Sequence, residues 1–205
     1  MRLKLLLPLL AAFALAGTAR AQVPDAAPAS AAASAPTEAP GPKVDLETSM
    51  GKIVIELDPA RAPRTVANFL RYVRAGHYNG VIFHRVIDGF MIQTGGYRLD
   101  RSEKPTRPPI PLESRNGLSN VRGSVAMART AIPDSATSQF FINVADNLGL
   151  DQAHAPDGEG YAVFGRVVQG MDVVDRIKAV PTHAVGVFQN LPVHPVTINK
   201  AIVER

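Results

Sequence analysis

The stretch Phe83-His84-Arg85-Val86-Ile87-Asp88-Gly89-Phe90-Met91-Ile92-Gln93 limits what this chain can become more than any other. Two short extended runs, Val81 to Ile87 and Phe90 to Gln93, are joined by Asp88-Gly89, a dipeptide suited to reversing the chain between strands. Side chains alternate along a strand, so Phe83, Arg85 and Ile87 form one row and Met91 and Gln93 another. One arginine and one glutamine therefore stand among large apolar side chains. Charged groups are seldom buried without a partner. Taken alone, such an arginine more often pairs with a structural carboxylate, or lies at a barrel rim, than serves a function. The segment holds no evident nucleophile, no metal-ligand spacing and no phosphate loop. It suits a pocket for an apolar ligand with a polar backbone, and chemistry that breaks no covalent bond.

The rest of the chain supplies more short strands and two helices. Val44 to Glu47 and Ile53 to Leu57 flank a turn at Ser49-Met50-Gly51 and read as a hairpin. Pro63-Arg64-Thr65 opens a helix whose Val66, Phe69, Leu70 and Val73 share one face, and Gly76 ends it. Tyr97 to Leu118 carries Pro105, Pro108, Pro109 and Pro111 and reads as a long loop. Ser124 to Ala128, Gln139 to Val144, Tyr161 to Val168 and Val196 to Val203 are further strands, and Met171 to Val180 is a second helix. Many short antiparallel strands without a strand–helix–strand rhythm predict a mainly β fold: a closed eight-stranded antiparallel barrel capped by two α-helices.

Before the folded domain come two segments of another kind. Arg2 and Lys4, the apolar run Leu5 to Ala16 and the small-x-small ending Ala19-Arg20-Ala21 predict a secretory signal over 1–21, cut after Ala21. The apolar run is short for a membrane span, which needs roughly 20 residues, so stable membrane insertion is not expected. Residues 22–43 are mostly Ala, Pro and Ser, too poor in apolar bulk to offset ordering entropy, and predict a disordered tether. The domain then runs over 44–205. The formal net charge of +4 misleads. Without Arg2, Lys4 and Arg20 the mature chain has 19 basic against 18 acidic side chains, and no basic stripe with interleaved aromatics suggests nucleic-acid binding. The chain has no cysteine, which removes disulfides, thiol nucleophiles and thiolate metal sites. His77, His84, His154, His183 and His194 lack metal-ligand spacing, so neither a metal nor a cofactor is expected. Nothing suggests an obligate oligomer, and a monomer is expected.

Taken in order, Phe83 to Gly96, Ala126-Met127-Ala128-Arg129-Thr130, Ser138-Gln139-Phe140-Phe141-Ile142-Asn143 and Val163-Phe164-Gly165 resemble the cyclophilin family of peptidyl-prolyl cis-trans isomerases. The resemblance covers the folded domain from about Val44 onward. The wording of Met127 to Thr130 and Pro133 to Asn143 is similar to the bacterial branch, and the signal to its periplasmic members. The resemblance implies that Arg85 is the catalytic arginine and that Phe90, Met91, Phe141 and Leu150 wall the proline pocket. It implies that Gln93 and Gln139 stand beside that pocket. Ala128, Arg129 and Thr130 would edge the substrate backbone, Arg129 acting through its main chain. His84 would lie near the groove, with Tyr161 where many eukaryotic members have histidine. The implied substrates are proline-containing polypeptides, unfolded or exported. Where the best-known eukaryotic members have a tryptophan that helps bind cyclosporin, this chain has Gly149, so tight inhibition is not expected. The other reading is a chaperone or binding module that holds Pro-containing segments in the same groove without turnover.

Overall fold

The computed structural model describes residues 41–204. The predicted signal, and the predicted tether up to residue 40, lie outside the described residues. Lys43 already belongs to the first strand, β1 (Lys43–Thr48), and its carbonyl accepts a hydrogen bond from Glu204 N at 2.9 Å. β1 turns into β2 (Gly51–Leu57) in the predicted hairpin. Helix α1 (Pro63–Arg74) starts with its proline in the first turn, where a missing N–H costs nothing, and buries Val66, Phe69, Leu70 and Val73 as the periodicity predicts.

The run predicted as one strand from Val81 to Ile87 is two. β3 (Val81–Ile82) pairs with the last strand, and β4 (Arg85–Ile87) pairs with β5 (Met91–Thr94). Phe83 N bonds to Val196 O at 2.9 Å, whereas His84 N bonds to Gln93 O at 3.1 Å, so the chain changes partners between these two residues. β6 (Ser124–Met127), β7 (Phe140–Asn143) and β8 (Val163–Gln169) follow, then helix α2 (Met171–Lys178). A hairpin of β9 (Thr182–Val185) and β10 (Phe188–Pro192) comes next, where no element was predicted, and β11 (Thr197–Val203) ends the fold.

Nine strands form one antiparallel sheet in the order β3-β11-β1-β2-β8-β6-β7-β5-β4. The sheet curls, but among the described residues no ladder joins its outer strands β3 and β4, so the barrel is open where a closed eight-stranded one was predicted. The reason is the partner change at Phe83-His84. One chain run supplies both edges, and consecutive residues cannot pair with each other.

The sheet's two faces carry different cores. Val86, Ile92, Val125, Phe140, Ile142 and Phe164 point inward to the main core. There Phe69 of α1 packs against Tyr78, Phe140 and Phe164 with centroids 5.1–5.2 Å apart. The alternate residues of the same strands, Met91, Ala126, Phe141 and Val163, form a second, smaller cluster on the opposite face. Strand alternation alone sends these neighbours to opposite faces.

Candidate active site

The smaller cluster is where the predicted site residues meet. Register places Arg85 opposite Gln93, Gln93 opposite Phe141, Phe141 opposite Ala126, and Ala126 opposite Val163. Residues directly opposite share a face, so this is one row across five strands, polar at the Arg85 end and apolar beyond. One step along, Ile87 stands opposite Met91, and Met91 opposite Asn143. Phe90, Ala128, Leu150 and Tyr161 pack onto the cluster from the surrounding loops, as does Leu118. Leu118 ends the proline-rich loop and carried no signal of its own in the sequence.

Arg85 lies exposed at the end of this row, its guanidinium carbon 5.9 Å from the Phe90 ring centroid. Among the described residues no carboxylate lies within ion-pair distance of it; neighbouring Asp88 pairs with Lys178 at 3.2 Å instead. The arginine is thus neither buried nor neutralised. Among the described residues it is a free cation beside the apolar cluster, which disposes of the structural-carboxylate alternative.

Gln93 Nε2 donates to Gln139 Oε1 at 2.9 Å. The backbone leaves little room for any other arrangement. A Cβ added at Gly96 would lie 2.6–2.8 Å from the Gln139 side chain, and one at Gly95 (φ +97°) would meet Ser138 O at 2.6 Å. The two glycines of Gly95-Gly96 let β5 and the start of β7 approach this closely. Ala128 N bonds to Gln139 O at 3.0 Å, so the strap Ala128-Arg129-Thr130 runs alongside Gln139. Thr130 is exposed, its amide and hydroxyl both donating to Ser135 Oγ at 2.9 and 2.8 Å.

His84 is buried, 6% exposed, and does not face the groove as an open polar group. It sits edge-on to Tyr97 (4.8 Å) and Phe188 (6.2 Å), and its Nδ1 has no hydrogen-bond partner among the described residues. Burial, aided by the Arg85 cation, holds its imidazole down at about 4, so it is neutral near pH 7. Phe188 comes from the unpredicted β9–β10 hairpin, which lacks the sustained alternation that marks a strand.

Beneath the pocket lies a polar network that sequence reasoning missed. Asn120 and Asn143 are both fully buried. Asn143 Nδ2 donates to Asn120 Oδ1 (3.1 Å) and Ser124 Oγ (2.8 Å), and its Oδ1 accepts from Asn147 Nδ2 at 2.7 Å. Asn147 also donates to Phe90 O at 2.7 Å. Asp151 accepts from Asn120 N and Nδ2 at 2.7 and 2.9 Å and from the Ser119 hydroxyl. Burial pushes its carboxyl up, but these hydrogen bonds outweigh that and hold it below the usual range. The network ties the loops bearing Phe90, Leu118 and Leu150 to β7. Asn143 closes the Phe-Phe-Ile-Asn run, which was the one visible hint. Gly149 is exposed, in the 3-10 turn Leu148–Leu150, and an added Cβ there would meet nothing within 4 Å.

Among the described residues no group of three His, Asp or Glu side chains could hold a metal ion, and no helix is long and apolar enough to cross a membrane. An apolar cluster with a free cation at its edge can meet a small ring and offer a hydrogen bond beside it.

Known proteins resemble this chain over nearly all of its described residues. The family model described as "Cyclophilin type peptidyl-prolyl cis-trans isomerase/CLD" matches residues 43–203. The chain is 57% identical over 159 residues to a peptidyl-prolyl cis-trans isomerase of Streptomyces antibioticus, covering 77% of this chain and 96% of that one. It is 55% identical over 156 residues to peptidyl-prolyl cis-trans isomerase A of Dickeya dadantii, covering 76% and 81%. Among solved structures it resembles a Cryptosporidium parvum cyclophilin type isomerase crystallised in the presence of the dipeptide Ala-Pro. That match has a TM-score of 0.66 and 24% identity, and covers 80% of this chain and 99% of that one.

Proposed function

The chain belongs to the cyclophilin-type peptidyl-prolyl cis-trans isomerase family and is an isomerase of X-Pro bonds, and from that premise we propose that Arg85 drives the rotation by bonding the twisted amide. The substrates are proline-containing polypeptides, with the proline ring seated among Phe90, Met91, Phe141 and Leu150. The observation that carries this reading is the unpaired Arg85 guanidinium beside the Phe90 ring at the edge of the apolar cluster.

The peptide bond before proline resists rotation because resonance stiffens C–N, with a barrier of about 18–20 kcal/mol. Twisting breaks the resonance, and the nitrogen becomes pyramidal and regains its lone pair. A donor held at that nitrogen bonds the twisted state and finds little to bond in the planar one, so it stabilises the transition state selectively. Arginine suits this because it stays charged and presents several donors in a fixed fork. A charge-assisted hydrogen bond contributes roughly 1.5–3 kcal/mol, or about one to two decades of rate. The remainder comes from the apolar pocket. It strips water from a planar amide that is more polar than its twisted form, and holds the ring while the preceding carbonyl swings. Gln93, held by Gln139, orients Arg85 or the substrate carbonyl. Ala128 to Thr130 line the substrate backbone.

Isomerisation of an Ala-Pro peptide by wild type and Arg85→Ala tests the reading. The expected loss in kcat/KM is roughly ten- to hundredfold. A variant with near-wild-type turnover refutes the role of Arg85. Exchange NMR on the same peptide separates catalysis from binding, since a mere binder leaves the cis and trans lines sharp.

The work of this isomerase is the folding of exported proteins, and the support is the leader pattern over 1–21 with the Ala/Pro-rich tether after it. Mature protein recovered from the periplasm should begin at Gln22. An N-terminus at Met1 in the cytoplasmic fraction would remove the export proposal.

A further inference from the structure

A role for Arg129 through its main chain leaves its side chain unaccounted for. That side chain is only 2% exposed. Its Nε donates to Gly160 O at 2.8 Å, its Nη1 to Thr130 O at 2.9 Å, and its Nη2 pairs with the Asp157 carboxylate. The guanidinium carbon lies over the Tyr161 ring, 4.7 Å from the centroid. That ring in turn meets Phe141 edge-on, with centroids 5.6 Å apart and planes at 79°. The other end of the contact is equally fixed. Asp157 Oδ1 accepts from Glu159 N and Gly160 N at 3.0 and 3.2 Å. Tyr161 N bonds to Leu150 O at 2.9 Å, and Gly160 packs so tightly that an added Cβ would lie 2.7 Å from that same carbonyl.

We propose that Arg129 is a positioning residue for the proline pocket: its guanidinium clamps the 151–160 loop and holds the Tyr161 ring against Phe141. The inference rests on the isomerase reading above and adds to it the device that fixes one pocket wall before substrate arrives. The chemistry calls for a planar fork. Three N–H groups reach two carbonyls and a carboxylate while the guanidinium carbon lies over a ring. A lysine brings the charge but neither the fork nor the flat face. The Arg129 hydrogen bond to Asp157 holds that carboxyl down at about 2, so the clamp stays charged throughout the neutral range. Preordering the wall lowers the ordering cost of seating a proline ring, which reads out in KM.

The test combines steady-state kinetics on an Ala-Pro peptide with fluorine NMR of protein carrying 3-fluorotyrosine, in which Tyr161→Phe assigns the Tyr161 resonance. Arg129→Ala and Arg129→Lys are both expected to raise KM about tenfold, the loss of one desolvated charged contact. Both should shift and broaden the Tyr161 resonance. Asp157→Asn, which spares the carbonyl bonds, should have a smaller effect of the same kind, and it carries the test with Arg129→Lys if Arg129→Ala does not fold. Wild-type KM in Arg129→Lys overturns the proposal, whether the Tyr161 resonance moves or stays. If the wild-type chain itself fails to isomerise the peptide, the isomerase reading falls, while the fluorine shift still decides whether the clamp exists.

Discussion

Gln93 and Gln139 are joined side chain to side chain at 2.9 Å, and Gln93 stands directly opposite Arg85 in the β4–β5 register. A free arginine on an open strand edge has many rotamers, and a fixed neighbour narrows them. Gln139→Ala should therefore lower kcat severalfold with little change in melting temperature, since Gln139 is only half-buried and its partner can turn to water. In an Arg85→Ala background the same change should cost almost nothing. Equal losses in both backgrounds would show that Gln139 acts apart from Arg85.

The buried network beneath the pocket predicts a different signature. Asn143→Ala leaves Asn120, Asn147 and Ser124 without their bonds to it in a fully buried place. An unsatisfied buried polar group costs about 1–3 kcal/mol, so thermal unfolding should fall by several degrees. KM should rise with it, because Asn147 anchors the Phe90 carbonyl. Calorimetry and peptide kinetics on the one variant check both.

His84 makes stability depend on pH in one direction. In the unfolded chain its imidazole takes a proton near 6.5, while in the fold it resists until about 4. Between these values the unfolded state binds more protons, so stability is full above about pH 6.5 and falls as the pH drops toward 4. The loss from this group is roughly 3 kcal/mol at most. His77, lowered chiefly by burial, adds in the same sense. His84→Gln should lose less melting temperature than wild type between pH 7 and 4.5. Equal losses contradict the assignment.

Catalysis should behave otherwise. Arginine does not titrate near neutrality and His84 is already neutral there, so kcat/KM should be nearly flat from about pH 6 to 8. A bell-shaped profile in that window would point to a titrating group in the reaction and away from Arg85.

Gly149 tests the drug-binding expectation. Nothing lies within 4 Å of a Cβ added there, and its backbone is not in the left-handed region, so Gly149→Trp should fold with an unchanged melting temperature. If the tryptophan of the eukaryotic members is what this surface lacks, the variant should bind cyclosporin more tightly than wild type, measured by titration of the new indole fluorescence.

Much of the site was legible in the sequence because strand alternation is a local rule. It grouped Arg85 with Ile87 and Met91 with Gln93 before any partner strand was known. It also put Phe83 in the Arg85 row, and there it failed: the chain changes partners after Phe83, which lies fully buried in the main core instead. Phe90, Met91, Phe141, Leu150, Ala128 and Tyr161 do meet in one cluster. What stayed hidden depends on distant chain segments. The split at Phe83-His84 follows from which strands flank it, not from its own pattern. The β9–β10 hairpin has no clean alternation, yet it delivers Phe188 to His84. Arg129 looked like one more groove residue, and only the folded 151–160 loop shows where its side chain goes.

The sequence by itself determined the mainly β architecture and the two amphipathic helices, which follow from short-range periodicity, and the family, which follows from contiguous motifs. The tertiary structure decided that the barrel is open, that Arg85 has no carboxylate partner among the described residues while Arg129 has one, and that His84 is sealed away from water. Those are questions of solvation and pairing. Whether a charge or an imidazole meets water, a ring or a carboxylate depends on groups brought from elsewhere in the chain, and no local pattern encodes that meeting.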